Sequence, residues 1–378
     1  MSILESRNDL LSNIKASVEA LLPIDKDMKL SNTFNMTDDI RHKVLKVLIT
    51  FSARIPHPAQ SNSTSNGNRV SNGSIASNIN IDSISNNNDS LTLLRWKILA
   101  YVSRIDLTIA KWFESHLDAL SILYELGYGE TQQGLWAVWA AEGHPNPVHY
   151  QEGKISGCKS WCSGANIVDY ALITYRDDEG KSQLVTVDMQ QKGIDIDNRA
   201  WQAVGMQATD TATVSFDNVS APQVGSPNAY LDRVGFWHGA AGVATCWYGA
   251  SASLASYLVE SYQQKPNDYK AMYLGQISSD LAVSRQYLHQ VAQLIDSQPE
   301  NNHELSIRQL RTNIEQLARQ VIETVGQALG AAPFCGNAHF ATLSADLTVF
   351  IRQSHGAFDL QSIGQLTCLQ VGSNRWQL

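Results

Sequence analysis

The chain has 378 residues, 43% of them hydrophobic and 17% charged, with a formal net charge of −8. That length and apolar content support two or three cored domains, and the acidic balance, with no basic stripe along any predicted helix, argues against a nucleic-acid surface. Cys158, Cys162, Cys246, Cys335 and Cys368 are an odd, scattered set that reads as reduced thiols, and no run of about twenty apolar residues exists to span a bilayer.

Residues 3–22 and 37–54 carry apolar side chains at helical spacing. The first segment has acids and no basic region before an apolar stretch, so no secretory signal is expected and a cytoplasmic location is. In the second, Val44, Leu45, Val47, Leu48 and Phe51 follow the capping signal Thr37-Asp38-Asp39. Composition then collapses: 20 of the 30 residues in 61–90 are Ser, Asn or Gly. Such a stretch buries too little to offset its ordering entropy, so residues 58–90 are expected to be a disordered insertion between two helices. Helical pattern resumes over 91–126, through KWFESHLDALSILYELG, and Gly127 ends it.

From Gly134 the pattern changes to short β-rich segments, GLWAVWAA, GKISGCKSW, DYALITYR, QLVTVDM and TATVSFDNV, separated by turns such as DDEG and QQKG. Within KISGCKSWCSGANIVDYALIT, residues 154–174, Trp161 stands at a strand end beside small polar side chains. An indole there is either a core plug or a wall against which a flat ring lies. Cys158 and Cys162 have the spacing of a zinc pair, but no second Cys or His pair follows at ligand spacing, so no metal site is expected. After Pro222 the helical period returns near 228–262, 269–296, 304–329 and 338–354, with QKPND and SQPENN as breaks. The expected class is α+β: an N-terminal helical domain (1–133), a middle antiparallel β domain (134–224) and a C-terminal helical bundle (225–378).

KISGCKSWCSGANIVDYALIT followed by GMQATDTATVSFDNVSAP resembles the middle β domain of the acyl-CoA dehydrogenase family, which shows G-x-K-x-W-I-T and G-x-R-x-(S/T)-x-T-x-x-(L/V)-x-F-(D/E)-x-V-x-V-P there. RVGFWHGAAGVATCWYGASASLASYL resembles the first helix of the family's C-terminal bundle, QALGA its Q-x-x-G-G, and FESHLDALSILYELG its N-terminal helical domain. The resemblance covers most of the chain outside the insertion. It implies an acyl-CoA dehydrogenase-like fold with a C-terminal four-helix bundle, FAD as cofactor and a homodimer or homotetramer. It also implies oxidation of the CH–CH group of an acyl thioester, the electron acceptor being left open.

By position, the resemblance lays Trp161 against the isoalloxazine, with Cys162 and Ser163 in the two positions after it and Ser163 keeping the family's hydroxyl. Ala141 and Glu142 correspond to the family's T-E-P-x-A-G-S-D loop, reduced here to AAEGHPNP. Gln327, Gly330 and Ala331 correspond to the helix end that approaches the adenosine half of FAD bound by a neighbouring subunit. Ala331 adds a methyl group where the family has a second glycine. The family's Arg in R-x-x-F-G has no counterpart near YQQKPNDY, where Lys265 lacks the bidentate fork.

Acyl thioester dehydrogenation needs a carboxylate base with its pKa raised toward neutrality. Setting Asp346 on the family's aspartate puts Ser354 at the usual glutamate and His355 beside it, and no glutamate follows Glu323. Asp232, in YLDRVGFWHG, occupies a position that some members use for the base; otherwise it is a surface aspartate near a helix N-terminus. His355, with Ser354, is the second candidate, since imidazole takes a proton near neutral pH. His238, one turn beyond Val234, either shares that pocket or serves the core or surface. The expected function is an FAD-dependent oxidoreductase of the acyl-CoA dehydrogenase type, with Asp232 ranked before His355. The alternatives are a flavin-dependent monooxygenase of the same fold, which also lacks the glutamate, and a catalytically degenerate member without turnover.

Overall fold

The structure, a computed structural model, describes residues 7–22, 36–58, 90–129 and 131–369. Among the described residues four helices come first: α1 (Arg7–Glu19), α2 (Asp38–Phe51), α3 (Leu91–Ile105) and α4 (Leu107–Glu125). Thr37 Oγ1 accepts the Ile40 N–H and so caps α2, with Asp38 and Asp39 in the first turn where the helix dipole favours acids. Asp106, the single residue between α3 and α4, takes the Ile109 N–H at 2.9 Å and Arg41 Nε of α2 at 2.9 Å. One buried carboxylate thus caps α4 and clamps three helices. Residues 59–89, nearly all of the Ser/Asn-rich stretch, lie outside the described residues. Ser90, its last residue, is the N-cap of α3, accepting the Leu93 N–H at 3.1 Å.

Seven strands follow: β1 (Trp136–Trp139), β2 (His149–Gln151), β3 (Lys154–Cys162), β4 (Tyr170–Arg176), β5 (Ser182–Asp188), β6 (Ile194–Asp197) and β7 (Ala212–Ser220). They form a three-stranded sheet in the order β1-β4-β5 and a four-stranded sheet in the order β2-β3-β7-β6. The pairings are antiparallel except β1 with β4, where Trp136 lies opposite Tyr170 in parallel register. That exception follows from the connection, because the chain crosses to the other sheet for the β2–β3 hairpin before returning, as parallel neighbours require.

The C-terminal part is helical: α5 (Ala229–Asp232), α6 (Gly235–Gln264), α7 (Asp268–Ser297), α8 (Glu304–Leu329), α9 (Ala332–Gly336), α10 (Ala338–Phe350) and α11 (Ala357–Leu369). Helices α6, α7 and α8 pack on one another and α10 packs on α6 and α8, while α3 lies along α6. Gly249 permits that last approach, since a Cβ on it would run into the Ala100 carbonyl oxygen. One contiguous apolar core therefore runs from Ile14 through Ile155 and Val214 to Leu347. Among the described residues no strand follows β7.

Candidate active site

Trp161, the second-last residue of β3, has φ +63°, in the left-handed region. A bulky side chain there costs on the order of 1–2 kcal/mol and is a backbone outlier that needs a reason. Trp161 is 64% exposed, so it is not a core plug. The next residue turns inward: Cys162 is fully buried, with its thiol toward the Lys159 carbonyl at 3.2 Å. Ser163 faces the same cavity as Trp161.

Hydrogen bonds hold this turn from below. The Thr209 carbonyl accepts the Gly164 N–H at 2.9 Å and Trp112 Nε1–H at 3.2 Å, and Trp139 Nε1–H donates to the Ser163 carbonyl at 3.3 Å. A relay of hydroxyls runs across it, Ser163 to Thr211 at 3.0 Å, Thr211 to Thr209 at 2.9 Å, and Thr209 to the Met206 carbonyl at 2.7 Å. Each hydroxyl has one proton, and the terminal carbonyl can only accept. The relay therefore runs from Ser163 toward Met206 and leaves Ser163 Oγ as an acceptor toward the cavity.

The cavity holds about 470 Å³, within the range of small-molecule sites. Trp161 and Trp201 meet edge to face on one side, with ring centroids 6.1 Å apart. Lys111 and Ser115 of α4, Val138 and Trp139 of β1, Phe350 at the end of α10, and Arg352 and Gln353 after it also line it. The segment carrying Trp201, Thr209 and Thr211 is pinned to α10. Asp346 Oδ1 accepts the Met206 N–H at 2.5 Å, and Gly205 lies so close to α10 that a Cβ would strike the Ala345 carbonyl oxygen. Burial raises the Asp346 carboxyl to about 7, against the pull of that N–H.

A second cavity, of about 380 Å³, adjoins the first and shares Lys111, Ser115, Val138, Ala140 and Gln353 with it. Its walls carry both charge and aromatic surface. Glu114 of α4 is buried, and desolvation raises its carboxyl to about 7 although Lys111 Nζ lies 3.9 Å away. Arg308 sits 4.1 Å over the Trp237 ring and pairs with Glu304 at 2.8 Å and with Asp359. Arg233 pairs with Glu125 at 3.1 Å and Asp118 at 3.5 Å. Arg311 lies over Trp247, 5.0 Å from its ring centre, and donates to the carbonyls of Ala240 at 2.5 Å and Gln353 at 3.3 Å.

Of the residues singled out in the sequence, Trp161, Ser163 and Ala141 line the first cavity and His355 lines the second. Ser354 lines neither; its hydroxyl accepts the Gly356 N–H at 3.4 Å. Cys162 belongs to the core. Glu142 Oε1 accepts from the buried Lys159 ammonium at 3.0 Å and from the Thr174 hydroxyl at 2.7 Å, bracing the β unit rather than lining the cavity. Asp232 is exposed in a separate surface depression with Val234 and Asn301. The cause is local: α5 is one turn long, and Arg233 leaves it in extended conformation, so Arg233 points into the second cavity and Asp232 away. Gln327 donates to Glu323 at 2.7 Å, and neither it nor Gly330 nor Ala331 lines either cavity. His238 serves the core, buried, with Nε2–H donating to the Asn301 carbonyl at 3.0 Å and its pKa lowered by burial to about 4.

Sequence reasoning missed Trp201, Thr209, Thr211, Lys111, Glu114 and Arg311. The threonines stand inside the segment TDTAT, and Lys111 and Glu114 lie with Ser115 and Asp118 on one polar face of α4. Arg311 carried no signal, since α8 is rich in charge throughout.

Residues 147–219 match the family model of the acyl-CoA dehydrogenase middle domain. No curated protein matches the chain by sequence. Solved structures share the fold over nearly the whole length. Butyryl-CoA dehydrogenase from Megasphaera elsdenii is 14% identical, with 97% of this chain and 99% of that one covered at a TM-score of 0.70. TdsC from Paenibacillus sp. A11-2, in complex with FMN and indole, is 12% identical, with 95% and 96% covered at a TM-score of 0.70. The nitrososynthase from Micromonospora carbonacea var. africana is 14% identical, with 98% of each chain covered at a TM-score of 0.71. The fold is that of the acyl-CoA dehydrogenases, which dehydrogenating and oxygenating proteins share.

Proposed function

We propose that the chain is a flavin-dependent oxidoreductase, with the flavin ring against Trp161 in the first cavity and the substrate entering the second. One observation carries the reading: an exposed indole held in a strained backbone conformation at a cavity wall, where only a bound partner gives it a purpose. The lining fits a flavin. Trp161 and Trp201 offer apolar surface to a planar heterocycle, Ser163 Oγ offers an acceptor to a ring N–H, and Arg352 offers positive charge to a phosphate. Bound there, a flavin supplies two-electron redox chemistry to whatever the neighbouring cavity holds.

The chain's own residues would orient the reactant and manage its proton. Glu114 is a carboxyl at the second cavity whose burial brings it near neutrality, the condition for a general base at physiological pH. It ranks ahead of His355, which stands at the exposed mouth, and of Asp232, which stands outside. We take FMN before FAD, because Ala331 and Lys265 replace the family's FAD-site glycine and arginine, and TdsC, of the same fold, was solved with FMN.

The reaction class we favour is monooxygenation of a small polar substrate. Lys111, Arg308, Arg311 and Asp359 make a poor slot for an acyl chain. Dehydrogenation of an acyl thioester is the second reading, favoured by the presence of a carboxyl at Glu114. Titrating flavin-free protein with FMN while following tryptophan fluorescence tests the first claim; saturable quenching is expected, and no quenching with either FMN or FAD overturns it. Anaerobic bleaching of the loaded protein by short acyl-CoA esters would favour dehydrogenation. Substrate-dependent oxygen uptake by the reduced protein would favour monooxygenation.

A further inference from the structure

We propose that the second cavity takes a small organic anion with an aromatic body, its charged end held by Arg311 and Lys111. This treats the cavity as the substrate chamber of the proposed flavoenzyme and so rests on that reading. Two of the four cations on its walls are already neutralised, Arg308 by Glu304 and Asp359, and Arg233 by Glu125 and Asp118. Arg311 is not. It is 7% exposed, and among the described residues no carboxylate stands within ion-pair distance of it; its guanidinium meets only two main-chain carbonyls. A guanidinium keeps its charge at neutral pH, and the carboxylates of Asp359, Glu114 and Glu315 act on this one only through space, so its fork is still open to a directly bound anion. The two carbonyls and the Trp247 ring fix the planar fork in place, which is the arrangement that recognises a carboxylate or phosphate.

Lys111 approaches from α4 and lines both cavities. Its ammonium is 3.9 Å from Glu114 and makes no hydrogen bond among the described residues. A neutral Glu114 would leave this charge available as well. The rest of the wall is aromatic: Tyr230 and Trp237 each meet Phe236 edge to face, at 5.6 and 5.4 Å between centroids. An inorganic anion would leave that surface unfilled, and an aliphatic acyl chain would lie against the charges. A flat apolar body with one anionic end satisfies both.

The test is calorimetric titration of the purified full chain with benzoate, phenyl phosphate and benzamide at constant ionic strength, with flavin content read separately by absorbance. At least one of the two anions should bind at least tenfold more tightly than neutral benzamide, and the tighter one identifies a carboxylate or a phosphate ester as the charged end. Lys111→Met and Arg311→Gln should each weaken the anion at least tenfold and leave benzamide unchanged. Lys111→Met guards against misfolding as an explanation, because it keeps the aliphatic stem and breaks no internal hydrogen bond. Benzamide binding as tightly as both anions, or anion affinity unchanged in Lys111→Met, would overturn the proposal. Protein whose tryptophan fluorescence responds to neither FMN nor FAD but that still selects anions would sink the flavoenzyme reading and leave this site standing. Flavin-loaded protein without anion preference would sink this site alone.

Discussion

At the scale of single residues, Trp161 and Glu114 show how function sets itself against stability. The left-handed backbone at Trp161 suits glycine far better than a β-carbon bearing an indole. Trp161→Gly should therefore raise the thermal stability of flavin-free protein, by about 1 kcal/mol, while weakening flavin retention by at least the ~0.5–1.5 kcal/mol of a stacked aromatic. Calorimetric melts and flavin titration read the two effects separately, and a large drop in melting temperature would return Trp161 to a structural role. Glu114 makes a pH-dependent case. Its folded carboxyl titrates at about 7 against 4.5 in the unfolded chain, so its protonated form contributes stability present below pH 4.5 and lost as pH rises through 7. The groups that face it are Arg95 of α3, Lys111 and Asp118 of α4, Tyr230 of α5, Cys246 of α6 and Arg311 of α8. Glu114→Gln removes the titration, so the stability of the variant relative to wild type should climb from pH 4.5 to 7 by on the order of 3 kcal/mol and then level off. Asp346 titrates in both proteins and cancels in that difference. A flat difference across pH would show that Glu114 is ionised throughout. Trp161 was legible in the sequence because a motif surrounds it. Glu114 was not, because its chemistry comes from burial by helices distant in sequence.

At the scale of elements, the site depends on a loop held against a helix. The segment between β6 and β7 carries Trp201, Thr209 and Thr211, and it reaches the cavity only because Gly205 and Met206 dock on α10. Gly205→Ala would push a methyl group into the Ala345 carbonyl, with no flexible side chain to yield. The expected cost is about 1–3 kcal/mol in stability, together with weaker FMN binding as the loop lifts. Unchanged binding in a folded variant would show that the loop is not part of the flavin wall. The periodicities made the long helices and most strands visible, since each buries one face regularly. What they could not show is geometry made by interruptions. The single turn of α5 sends Arg233 inward and Asp232 outward, and the crossover makes β1 and β4 parallel. Both depend on where the chain goes next, which no local period records.

At the scale of the molecule, the acidic net charge of −8 and the buried cations around the second cavity are separate facts. Charge on the outside governs solubility and encounter, whereas Arg311 and Lys111 act inside a low-dielectric space, where one unpaired cation outweighs many screened surface acids. The shared core matters equally. The helices before the β unit, the β unit and the helices after it all contribute to one large apolar cluster, so both cavities sit at a junction that no single part could form alone. The adenosine positions lie outside that junction, and this leads to the last prediction. If one chain completes the site, heat-released cofactor should chromatograph as FMN, and its affinity should not change on dilution. If FAD is released instead, its adenosine half needs a second copy of the chain, as a homodimer or homotetramer would supply, and binding must then weaken as sedimentation shows dissociation. The discriminating observation is therefore whether cofactor affinity follows protein concentration: independence supports FMN held within one protomer, and dependence supports FAD held between two.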